Sequence, residues 1–168
     1  MTVRRKNIRL PARNYVGKRW YFVTVCSNDR RPCFARPQEA LALISALRAV
    51  SASRAFAIHA FCVMSDHVHL LLEGLADRSR LQQFMTELKH RTALDWRRKH
   101  GGRLWQAKFY DHILRPRDSP DRVAWYIWMN PVRKGLCDDP HQYAFSGSFT
   151  LDWKQAPRPP EPWQPPWM

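Results

Sequence analysis

The sequence predicts an α+β fold: a ferredoxin-like (RRM-like) split β-α-β antiparallel sheet with an additional C-terminal helix. Three observations predict it. Aromatic and β-branched runs recur at strand length, two segments among them carry apolar residues at helical spacing, and a third helical segment follows the last strand. The order of elements is β-α-β-β-α-β-α.

The first strand is Trp20 to Cys26, WYFVTVC, dense in the residue types that pack on a pleated surface. A polar loop with two prolines follows from Asn28 to Pro37. From Gln38 to Val50, residues Ala40, Leu43, Ile44, Leu47 and Val50 keep the helical period. Phe56 to Val63 and His67 to Glu73 read as strands separated only by Met64-Ser65-Asp66, a gap short enough for an antiparallel hairpin. Arg80 to His100 places Leu81, Phe84, Met85 and Leu88 on one stripe and ends in a basic cluster before Gly101-Gly102. Leu104 to Leu114 is the expected last strand.

The third helix starts where Ser119 can cap, Pro120 suits the first helical position and Asp121 complements the dipole. It is expected to run to Asn130-Pro131 with a distorted last turn, since a residue before proline is driven away from the helical region. Two helices then cover one face of the sheet and the third closes the other. In domain terms, residues 1–19 form a basic arm, 20–152 the folded domain, and 153–168 a Pro/Trp-rich tail. With six prolines between Pro157 and Pro166, that tail is expected to be extended or disordered.

A chain of 168 residues suits one compact domain with arms. Its 28 Lys and Arg against 14 Asp and Glu give a formal charge of +14, above the ~2–8 common for a small domain. Such a surface attracts a polyanion by releasing condensed counterions. Nucleic acid is favoured over a membrane, because no helix combines a basic face with a bulky apolar one. Candidate phosphate contacts are Arg4, Arg5, Lys6, Arg9, Lys89, Arg97, Arg98 and Arg133. Trp105, Phe109 and Tyr110 are expected to pack in the core first and to stack on bases second. No apolar signal core or membrane span is seen, which points to the cytoplasm. Cys26, Cys33, Cys62 and Cys137 form no Cys-x-x-Cys pair and are read as reduced structural thiols.

His67 and His69 lie two apart in a strand, so both imidazoles face the same way, while Val68, Leu70 and Leu72 face the other. Two such rings can chelate a divalent ion and leave coordination positions for phosphate oxygens. On spacing alone, a single His-x-His is weak evidence, and core or hydrogen-bonded histidines are the favoured reading. Tyr126 and Asn130 are four apart on the third helix and share a face there. The Asn130 amide oxygen is a possible third ligand; Tyr126 is, on the same ground, one more aromatic of an apolar helix. His59, His90, His100 and His141 read as structural or surface residues, and Asp111 and His112 receive no role.

Four stretches, IRLPARNYVGKRWYFVTVC, VMSDHVHLLLEG, LWQAKFYDHILR and YIWMNPVRKGL, in this order and spacing, resemble the REP-associated tyrosine transposases, relatives of the single-strand transposases of small insertion sequences. The resemblance spans roughly residues 8–150. It implies a His-hydrophobic-His metal site at His67 and His69, a nucleophile at Tyr126 rather than Tyr110, and a polar third ligand at Asn130, where the insertion-sequence relatives more often have Gln. It further implies magnesium or manganese as the cofactor, although two imidazoles alone would suit zinc, copper or nickel. The implied activity is cleavage and rejoining of single-stranded or hairpin DNA through a 5′-phosphotyrosine, by a monomer or a homodimer. The competing readings are a non-catalytic nucleic-acid-binding module on the same sheet and a replication-initiator or relaxase type nickase. A paired His-x-Thr phosphodiesterase lacks its second motif here.

Overall fold

The computed structural model describes residues 9–168. Five strands, β1 (Trp20–Cys26), β2 (Phe56–Val63), β3 (His67–Gly74), β4 (Tyr110–Ile113) and β5 (Ser146–Gly147), form one antiparallel sheet ordered β4-β1-β3-β2-β5. The first four strands in that order are the expected split β-α-β sheet. The fifth is a two-residue addition at the β2 edge.

Helices α1 (Pro37–Ser53) and α2 (Leu81–His100) lie on one face. Their apolar stripes, Leu43, Leu47 and Val50 from α1 and Leu81, Phe84, Met85 and Leu88 from α2, meet Tyr21, Val23, Val25, Val68, Leu70 and Leu72 in the main core. Helix α3 (Pro120–Trp128) covers the other face, burying Val123, Ala124, Ile127 and Trp128 against Phe22, Ala60, Cys62 and Leu71. Alternation along β1 and β3 thus feeds two cores, which is why both strands are apolar almost throughout. In β2 the register shifts between Ile58 and Ala60, so Phe56 and Ile58 serve the α1/α2 core, whereas Ala60 and Cys62 serve the α3 side.

Three expectations are corrected. Only Tyr110–Ile113 of the expected 104–114 strand pairs; Trp105 makes an isolated bridge to Ser27. Gln106 still donates its N–H to the Cys26 carbonyl at 3.0 Å, but the carbonyls of Gln106 and Ala107 accept from the Lys89 ammonium at 2.7 and 3.2 Å and not from a strand. The third helix does not run unbroken to Pro131: it stops at Trp128 and resumes as the single turn α4 (Asn130–Arg133). Pro131 has no N–H to give the preceding turn, so the break falls where the proline demands it. Finally, the tail is extended but not loose. Trp153 and Trp163 are buried in the α3-side core, and Trp167 packs against it.

Candidate active site

The two histidines of β3 lie on the α3 side, opposite Cys26 and Thr24 of β1. Their ring centroids are 4.7 Å apart, with the rings nearly perpendicular. Each is held from behind. His67 Nδ1 lies 2.7 Å from Asp66 Oδ1, whose other oxygen is paired with Arg30 at 2.9 Å. His69 Nδ1 lies 2.7 Å from the Thr24 hydroxyl. In both rings the Nδ1 atom is therefore engaged and its orientation fixed, which leaves Nε2 as the atom facing the site. His67 Nε2 accepts from the Asn130 Nδ2 amide group at 3.2 Å.

Burial pushes the His67 imidazole below its ordinary value, against the opposing pull of Asp66. His69 is pushed much further down, first by desolvation and then by His67 and the cations Arg133, Arg30 and Lys134. Both rings are consequently neutral at pH 7, the form that binds a cation. Among the described residues no group of three His, Cys, Asp or Glu side chains could hold a metal ion. The donor set here is different: two imidazoles backed by a carboxylate and a hydroxyl, with one amide beside them. Such backing is the arrangement that orients ligating histidines. The residues present therefore fit a divalent cation that completes its shell with oxygens from elsewhere.

Phe22 joins these histidines to the tyrosine. Its ring packs 5.4 Å from His69 and 6.0 Å from Tyr126, centroid to centroid. Tyr126 is partly exposed on α3, and the Arg133 guanidinium stands 4.0 Å over its ring. Asn130 and Arg133, four and seven residues after Tyr126, stay on its face of the helical segment, with Asn130 buried and Arg133 exposed. A phenol hydroxyl, a guanidinium, two neutral imidazoles and an amide thus line one side of the sheet, a set suited to attack on a phosphodiester with stabilisation of the charge that develops.

Residues 15–128 match the family model of IS200-like transposases. The chain belongs to that family. This transposase is 28% identical over 149 residues to the REP-associated tyrosine transposase of Escherichia coli K12, covering 82% of this chain and 85% of the relative. Its fold superposes, with a TM-score of 0.68, on a REP-associated tyrosine transposase solved bound to a REP hairpin; identity there is 23%, over 84% of this chain and 81% of that one. The enzyme is accordingly a DNA transposase, a class that cuts and transfers strands.

The basic residues separate sharply. Arg4, Arg5 and Lys6 lie outside the described residues. Arg9 is exposed, pairs with Asp111 at 3.5 Å and lies over Phe109. The Lys89 ammonium is spent on the two carbonyls that shape the 106–107 loop. Arg97 and Arg98 are exposed at the end of α2, across the sheet from Tyr126. Of the five that are described, Arg133 alone adjoins the tyrosine. Sequence reasoning missed Thr24, Asp66, Phe22 and the tail tryptophans. The strand period gave one signal, since Phe22 and Thr24 share the parity that faces α3. No helix of the transposase is long and apolar enough to cross a membrane, among the described residues.

Proposed function

We propose that this transposase cleaves and rejoins single-stranded DNA carrying palindromic hairpins, with Tyr126 as nucleophile and a divalent cation, magnesium or manganese, held by His67, His69 and Asn130. The observation that carries the reading is that Tyr126 and His69 both pack on the Phe22 ring, with His67 beside His69 and Asn130, four residues after Tyr126, against His67. The hairpin substrate is supported by the related structure that holds one.

In this mechanism the Tyr126 Oη atom attacks a phosphorus, forms a 5′-phosphotyrosyl bond and releases a 3′-hydroxyl. A 3′-hydroxyl can later attack that bond, re-form a phosphodiester and free the phenol, so no water or nucleotide is consumed. A phenol of ordinary pKa near ~10 is a weak nucleophile at pH 7, and the phosphate repels anions. The bound cation would answer the second difficulty, by binding a non-bridging oxygen and stabilising the charge of the transition state. Arg133, above the Tyr126 ring, adds positive charge beside the attacking atom. Asp66 and Thr24 keep the imidazoles in register, so the phosphate is oriented without reorganisation at the moment of reaction.

The test mixes end-labelled hairpin DNA bearing a single-stranded flank with the protein and manganese, and resolves covalent adducts on denaturing gels. Tyr126→Phe and His67→Ala are expected to lose the adduct, whereas the wild-type protein forms it. A full-strength adduct in both variants would falsify the assignment.

A further inference from the structure

The tail crosses the α3 side of the sheet and buries Trp163 in an aromatic slot next to the proposed active site. The indole packs 5.1 Å from Phe22, 5.2 Å from Tyr126 and 6.0 Å from His112, centroid to centroid. Its Nε1–H donates to Asp118 Oδ1 at 3.0 Å. The other carboxylate oxygen accepts from the Arg115 backbone N–H at 2.8 Å and lies 2.9 Å from His112 Nε2. Asp118 is 9% exposed. Burial by itself would raise its carboxyl, but the hydrogen bonds from Arg115, Trp163 and His112 outweigh that and hold it below the usual range. The slot therefore has aromatic walls and, at its end, an acceptor that is fixed on two sides and open on the third.

A fused flat ring with one N–H at its edge fills this slot now. Among the components of DNA, a purine has that description: two fused rings with N–H donors on the Watson-Crick edge, in adenine at N6 and in guanine at N1 and N2. A pyrimidine has the donor but not the second ring. Phe22 places the slot beside His69 as well as Tyr126, within a nucleotide's reach of the atoms proposed to handle the phosphate. We propose that the Trp163 slot is a purine pocket for one unpaired nucleotide of the DNA strand, with Asp118 as its recognition group and the tail seated in it when no strand is bound.

Side chains, not backbone pairing, hold the tail in place. Beyond Ala156 it has neither helix nor strand, and its prolines keep it extended. Besides Trp163 and Trp167, its ties include the Pro157 carbonyl, which accepts from Trp125 Nε1 at 3.0 Å, the Arg158 guanidinium 5.8 Å over the Trp125 ring, and a solvent-facing Arg122–Glu161 pair at 3.1 Å. Exposed pairs of that kind add little.

The inference rests on the reading that the protein takes single-stranded DNA, but not on Tyr126 being the nucleophile. Its test is accordingly equilibrium binding in EDTA, where no adduct forms. Thymine tracts carrying one central adenine, guanine or thymine are titrated by fluorescence anisotropy against the full-length chain. Trp163→Ala should tighten binding of the purine-containing tracts roughly tenfold, as expected for one stacked and hydrogen-bonded base, and leave the all-thymine tract within about twofold. Trp163→Phe, which keeps a ring but loses the N–H, should fall between. Adding Asp118→Asn to Trp163→Ala should shrink the purine preference. A central 2-aminopurine should lose emission on binding Trp163→Ala. Equal tightening on every tract, or none on the purine tracts, overturns the pocket. A purine preference without any covalent adduct in manganese leaves the pocket standing and removes the proposed chemistry.

Discussion

Asn130 brings its side-chain amide within 3.2 Å of His67 Nε2, although 63 residues separate the two in sequence. Both are buried, so the contact is shielded from solvent, and the packing of α3 on β3 carries Asn130, at the start of α4, into place. Asn130→Ala is expected to weaken manganese binding by about 10- to 100-fold, the usual cost of losing a ligand or its immediate support. Isothermal titration with the metal checks this. Unchanged affinity would remove Asn130 from the cation site.

The depressed imidazoles give a pH dependence of definite sign. Near pH 6 the unfolded chain protonates both histidines, with ordinary values near 6.5, while the folded chain resists doing so. The unfolded state then binds more protons, so their contribution to stability is complete above about pH 6.5 and is lost as pH falls below it toward the depressed folded values. His69→Gln removes the stronger of the two effects. The stability difference between wild type and this variant, measured by urea unfolding, should shift against the wild type between pH 7.5 and pH 5. A difference that stays constant across that range would contradict the burial argument.

Arg133 stands 4.0 Å above the Tyr126 ring at an exposed position, so it can be replaced with little loss of packing. Arg133→Gln should slow adduct formation by about 10- to 100-fold, less than a full preorganised donor would cost, because its charge is shared with solvent. Single-turnover assays at saturating DNA separate this from binding. If only the DNA affinity fell, Arg133 would be a phosphate contact and not a partner of Tyr126.

Much of this was legible in the chain, for physical reasons that differ by element. The span of β1 follows the run Trp20–Cys26 residue for residue, because aromatic and β-branched side chains on both faces leave no competing helical pattern. The shared face of His67 and His69 follows from strand parity alone. What stayed hidden depends on contacts across the fold. Nothing near Lys89 in sequence announces that its ammonium will take the two carbonyls of residues 106 and 107, outside the short last strand. The tail misled by composition: six prolines exclude regular structure, but they do not prevent Trp153 and Trp163 from finding apolar partners. Asp118 reads as an ordinary residue before a helix, and only the folded chain puts His112 and Trp163 on it.

Gly74 ends β3 where the chain leading into β1 crosses it. Its N–H donates to the Arg19 carbonyl at 2.9 Å, and a Cβ built there would run into the backbone carbonyl oxygen of Gly17, with the Ser79 Cβ 3.1 Å away. Backbone cannot yield as a side-chain tip can, and Gly17, at φ +89°, is itself held by its N–H to the Ser79 carbonyl at 2.8 Å. Gly74→Ala must therefore push the 16–19 segment off the sheet edge. The expected cost is about 2 kcal/mol or more, read as a fall of roughly 5 °C in Tm for a domain of this size. Gly101→Ala is the comparison: unlike Gly74 it has a positive φ, +70°, but its Cβ would meet open space, so it bears the conformational penalty without the collision. A Gly74 variant no less stable than the Gly101 variant would mean that the arm is not seated on β3 as the Gly17 contact requires.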